Sequence, residues 1–268
     1  MTTFTTPVER RAAAPALVLT LALGVAMAFG SAVAQTTPGT NPQELRTVTT
    51  QSTPSADTLS AQQQAILPIA AFAAAGNIAK LNTALNQGLD AGLTVSDARE
   101  VLVQLYAYAG FPRSLNALTE LMKVLEQRKQ RGIQDAPGRE PSRPIPKGDE
   151  LRAVGTANQT KLVGRPVTGA VQDFAPAIAE YLQAHLFGAI FERDNLDWQS
   201  RELATVGMLS ALPGAEAQLL GHLRYSMNTG LTAQQMRQAV QVLDERVGPD
   251  NGKRSREALA KVLAPAAR

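Results

Sequence analysis

Twice in this chain, 138 residues apart, a glycine closes one helix and a threonine opens the next: Asp90-Ala91-Gly92-Leu93-Thr94 and Met227-Asn228-Thr229-Gly230-Leu231-Thr232. Glycine ends a helix in the left-handed conformation without a Cβ clash. The threonine hydroxyl accepts a bond from a first-turn N–H, and Asp97 or Gln235, three residues on, can return one to the threonine backbone. At the same offset Arg99 meets Arg237, Leu105 meets Leu243 and Gly110 meets Gly248, and with a one-residue gap Leu59–Thr94 matches Leu196–Thr232. The chain reads as two copies of one helical unit.

The hydrophobic pattern agrees. Ile66, Ile69, Ala70 and Ala73, then Val101, Leu102, Leu105 and Tyr108, recur at helical spacing, and no alternating run of useful length occurs. The predicted fold class is all-α. Residues 35–58 are rich in Thr, Ser, Pro and Gln and read as a flexible lead-in. A first repeat is expected over 59–128 and a second over 151–268, where Ala175–Ala184 and Phe187–Phe191 supply further helices. Pro137, Pro141, Pro144 and Pro146 make 129–150 a linker that cannot be helical throughout.

Arg10 and Arg11 precede the uncharged apolar run Ala12–Phe29, and Ala32-Val33-Ala34 supplies small residues for a signal peptidase. Residues 1–34 are read as a signal peptide cleaved before Gln35, with an uncleaved anchor as the alternative, disfavoured by Pro15. The expected location is periplasmic or secreted, with no membrane association after cleavage. The absence of cysteine excludes disulfides, thiolate metal sites and thiol peroxidase chemistry. Two histidines 37 residues apart, His185 and His222, make a poor metal framework, so neither metal nor cofactor is expected. A formal charge of +3 and 4% aromatic residues argue against nucleic-acid binding.

The motifs Tyr106-Ala-Tyr-Ala-Gly-Phe-Pro112 with Asn116-Ala117, His185-Leu-Phe-Gly-Ala-Ile-Phe191, Arg193-Asp-Asn-Leu-Asp-Trp198, Ser200-Arg-Glu-Leu-Ala-Thr205 and Gly221-His-Leu-Arg224 occur in an informative order. On these residues the chain resembles the carboxymuconolactone decarboxylase family, relatives of alkylhydroperoxidase D, in a tandem form. The resemblance implies an alkylhydroperoxidase D-like helical bundle, a homo-oligomer and a small-molecule substrate. The positions of the peroxidase cysteines fall on Ala215 and Gln218, so the thiol branch of that chemistry is closed.

The decarboxylase branch needs a general acid/base to move a proton at carbon. The resemblance implies His222 in that role, Glu202 or Glu216 as its orienting carboxylate and Arg201 as an anion clamp. Six residues turn a helix by about 240°, so Glu216 does not share a face with His222, and Glu202 on the preceding helix is the better geometric choice. His185 and Tyr108 are the further candidates for substrate contact, with Tyr106 and Arg113 as other polar groups of the first copy. Each has a plainer reading: His222 as a hydrogen-bonded histidine at a helix edge, Arg201-Glu202 as an ordinary ion pair, His185 as a packing residue and Trp198, capped by Asp197, as core. Gln64, Ala65 and Ala84 stand at the first-copy positions of Arg201, Glu202 and His222, so that copy lacks the acid/base set. The expected function is a cofactor-free lyase or isomerase acting on a small carboxylated lactone or related enolisable acid. The alternative is a non-catalytic protein of the same fold that binds a small molecule or serves assembly.

Overall fold

A computed structural model describes residues 57–265; the proposed signal peptide and nearly all of the lead-in lie outside them. The helices are α1 (Ala61–Ala75), α2 (Ile78–Asp90), α3 (Val95–Gln104), α4 (Tyr106–Gln130), α5 (Gly148–Val163), α6 (Ala170–Phe174), α7 (Pro176–Tyr181), α8 (Trp198–Ser210), α9 (Glu216–Asn228), α10 (Ala233–Val242) and α11 (Pro249–Leu263). Two π-helical segments, Leu182–Ile190 and Leu243–Val247, follow α7 and α10. Among the described residues there is no strand, and the fold is all-α.

Both corners form as their residues dictate. Gly92 and Gly230 take φ of 92° and 100°, which only glycine adopts cheaply. The Leu93 N–H reaches back to the Gly88 carbonyl, and the Leu231 N–H to that of Ser226. Thr94 and Thr232 each form the reciprocal box, with Asp97 and Gln235. Helices α2 and α9 both have 13 residues, and α3 and α10 both have 10. The chain then breaks at Gly110 inside α4 and at Gly248 before α11.

The core is centred on α1 and α8. Ten consecutive residues of α1, Ala65–Ala74, are buried, as are Ser200–Ser210 of α8; helices enclosed on all sides belong in the middle of a bundle. They approach at Gly207, where a Cβ would lie 2.7 Å from the Leu67 carbonyl oxygen. A smaller apolar cluster of Leu162, Leu186, Phe187, Ile190 and Phe191 joins α5 to the first π-helical segment. There Gly155 permits a closer approach still, since its Cβ would fall 1.8 Å from the Gln183 carbonyl oxygen.

The proline-rich stretch between α4 and α5 is non-helical, yet it is tied down. Ala136 and Pro137 carbonyls accept from the Val95 and Ser96 N–H groups, and the Arg139 carbonyl accepts from the Ser96 hydroxyl. It therefore satisfies backbone donors at the start of α3 that the helix itself leaves open.

Candidate acid/base site

Glu202 lies in the second turn of α8, capped by Asp197 through the Ser200 N–H, and His222 lies in the middle of α9. Because these consecutive helices pack against each other, residues 20 apart in sequence meet. His222 Nδ1 and Glu202 Oε2 are 2.8 Å apart, with the glutamate side chain fully buried and the histidine 11% exposed. His222 Nε2 has no hydrogen-bond partner among the described residues. The pair is thus an imidazole anchored at one nitrogen and uncommitted at the other, the arrangement that lets a histidine take and return a proton.

Two tyrosine rings enclose the imidazole edge-on, Tyr108 at 5.7 Å and Tyr225 at 5.2 Å between ring centroids. Tyr108 comes from the opening turn of α4, more than a hundred residues away in sequence. Burial, reinforced by the Glu202 charge, pushes its phenol well above the usual range and holds it as O–H. Thr205 lies close enough to oppose that rise, but no hydrogen bond of ordinary geometry reaches the Tyr108 hydroxyl, which is buried and unpartnered. Glu202 Oε1 is in the same condition. Each such atom costs about 1–3 kcal/mol relative to a satisfied one.

The other expected site residues lie elsewhere. Glu216 is not the orienting carboxylate: it is exposed at the start of α9, where it accepts the Gly214 N–H at 3.1 Å, a bond that lowers its pKa. Arg201 is not placed as an anion clamp. Its side chain is fully buried, with Nη2 3.2 Å from Glu100 Oε2 and 2.7 Å from the Arg193 carbonyl, and Nη1 3.3 Å from Gln104 Oε1. Successive residues of a helix point about 100° apart, so Arg201 turns toward α3 while Glu202 turns toward α9.

His185 lies in the first π-helical segment, exposed, with Nδ1 3.4 Å from the Tyr106 hydroxyl. Both line a mainly apolar cavity of about 420 Å³ with Phe111 and Tyr181. Neither Glu202 nor His222 lines that cavity. Trp198 is half-buried rather than core: it packs edge-on against Phe191, with the Lys161 ammonium 4.6 Å from the centre of its ring. Arg113 donates to the Ala74 carbonyl and so closes the end of α1.

Sequence reasoning missed Tyr225 and Glu100. Tyr225 is three residues after His222 and shares its helix face, a spacing that could have revealed it. Glu100 belongs to a buried polar stripe of α3, Ser96, Glu100 and Gln104, spaced by four. It holds Arg193 in two bonds, of 2.9 and 2.6 Å, and Arg201 beside it. Burial alone would raise the Glu100 pKa, but hydrogen bonds from Arg193 and Asn195 and the charges of Arg201 and Arg193 together hold it below the ordinary 4.5. Among the described residues no cluster of three metal-ligating side chains occurs.

Residues 176–261 match the carboxymuconolactone decarboxylase family. The matched segment runs from α7 into α11 and contains Glu202 and His222. The motifs from His185 to Arg224 that carry the resemblance all fall within it. Comparison with curated proteins finds no match.

Proposed function

We propose that the protein is a carboxymuconolactone decarboxylase-like lyase or isomerase, with His222 as the acid/base acting on a small carboxylated lactone or related enolisable acid. The observation that carries this reading is the buried 2.8 Å contact between Glu202 and His222. In the tautomer that donates Nδ1–H to the carboxylate, Nε2 has the lone pair. It removes a proton from carbon next to a carbonyl, the electron pair moves onto the carbonyl oxygen, and Glu202 stabilises the imidazolium. When carbon dioxide leaves instead, the pair from the broken C–C bond becomes the enolate, and protonated Nε2 delivers its proton to carbon. The Tyr108 hydroxyl, kept protonated and unpartnered, is the donor for the enolate oxygen.

The same reading takes α1–α4 and α8–α11 as copies of one unit, of which only the second keeps the acid/base pair. An exposed apolar face at Phe111, Leu115 and Met122 of α4 supports a homo-oligomer. Export rests on the N-terminal pattern of Arg10 to Ala34.

A panel of carboxylated lactones and enolisable acids tests the proposal, read by carbon dioxide release and by deuterium incorporation at carbon. Turnover is expected in the wild type and should fall about 10²–10⁴-fold in His222→Ala, with helix content unchanged. Turnover that survives His222→Ala removes that residue from the mechanism. Binding without release or exchange across the panel overturns the enzymatic reading in favour of a ligand-binding role.

A further inference from the structure

The register that relates the two helical quartets places Ala84 at the position of His222, Gln87 at that of Tyr225, Pro68 at that of Thr205 and Arg246 at that of Tyr108. All four of these counterparts, Pro68, Ala84 and Gln87 from the first quartet and Arg246 from the second, line one cavity of about 600 Å³, together with Phe72 and Lys80. The imidazole of His222 and the phenol of Tyr225 are replaced here by a methyl group and an amide. The volume falls within the ordinary range of small-molecule sites.

The lining has a definite chemistry. Lys80 and Arg246 both face the cavity, no acidic residue lines it, and neither cation has a carboxylate partner among the described residues. Arg246 Nη2 donates to Gln64 Oε1 at 3.1 Å, a neutral acceptor that orients the guanidinium without cancelling its charge. Lys80 Nζ lies 5.4 Å from the centre of the Phe72 ring, so the ammonium is drawn over an apolar floor made with Pro68 and Ala84. A guanidinium fork and an ammonium beside an aromatic face match a carboxylate attached to an apolar body.

We propose that this cavity is a second site, which binds a small organic carboxylate with an apolar body and does not transform it. Two cations recognise the acid group, Phe72 and Pro68 take the apolar part, and Ala65 and Ala84 leave no acid/base group in place. The correspondence of positions rests on the two-copy reading, whereas the cavity and its charges stand without the activity proposed for His222.

Calorimetric titration of the purified protein with sodium benzoate tests the site, with benzamide and sodium sulfate as probes of the apolar part and the charge alone. Benzoate is expected to saturate one site. Lys80→Gln and Arg246→Gln should each weaken it about tenfold, as loss of one charge-assisted hydrogen bond does. Benzamide should bind at least about tenfold more weakly, and His222→Ala should leave benzoate binding unchanged. The proposal is overturned if benzoate does not bind by about 10 mM, if both substitutions leave its affinity intact, or if His222→Ala abolishes it. Sulfate binding as tightly as benzoate would also overturn it, by reducing the site to a charged patch. Because turnover is read separately, loss of the His222 mechanism and loss of this site give different results.

Discussion

Glu100→Gln removes one negative charge from the junction of α3 and α8 while keeping shape. In the wild type, fully buried Glu100 faces fully buried Arg201 and the less buried Arg193, whose side chain keeps 29% exposure. After substitution the Arg201 guanidinium retains only neutral acceptors, Gln104 Oε1 and the Arg193 carbonyl, beside the new amide. A buried charge left without its counter-charge costs about 3–5 kcal/mol. Arg193→Gln is the gentler cut, because Glu100 keeps Arg201; a loss of about 1–2 kcal/mol is expected for charge-assisted bonds from a partly exposed donor. Urea unfolding followed by circular dichroism separates the two. With a slope of about 2–3 kcal/mol per molar, Glu100→Gln should lower the midpoint by about 1.5 M. A shift below about 0.5 M, or a larger effect from Arg193→Gln, would refute the claim that Glu100 neutralises Arg201 in the core.

The same carboxylate makes an acid-stability prediction. Its folded pKa lies below the ordinary 4.5, so its contribution is fully present above that value and is lost as pH falls through the lower folded value. Wild-type stability should therefore decline below about pH 4.5 more steeply than that of Glu100→Gln; parallel curves would contradict this assignment.

Tyr108→Phe should raise stability by about 1 kcal/mol, because it deletes a buried hydroxyl with no partner, while lowering any His222-dependent turnover. A loss of stability in urea unfolding would mean that the hydroxyl is satisfied in the folded protein. Gly155→Ala should destabilise by about 3 kcal/mol, since the added Cβ would lie 1.8 Å from the Gln183 backbone oxygen and force α5 away from the first π-helical segment. An unchanged unfolding midpoint would rule out that close approach.

What the amino-acid sequence determined by itself were features whose causes are local. Gly92, Thr94 and Asp97, and Gly230, Thr232 and Gln235, form their corners from hydrogen bonds within a few residues. The all-α class follows from spacing alone, and the lack of a thiol route from composition. The pairing of Glu202 with His222 was also legible, because two consecutive antiparallel helices bring residues near their facing positions together. Tertiary structure decided the rest, since neighbouring helical positions with similar chemistry can face different partners. Arg201 and Glu202 are adjacent in sequence, yet one is consumed by Glu100 across the junction with α3 and the other turns to α9. Tyr108, in the opening turn of α4 just before the break at Gly110, meets the His222 ring of α9 from more than a hundred residues away. Long-range contacts of this kind depend on where whole helices settle, and a single helix's spacing holds no record of that.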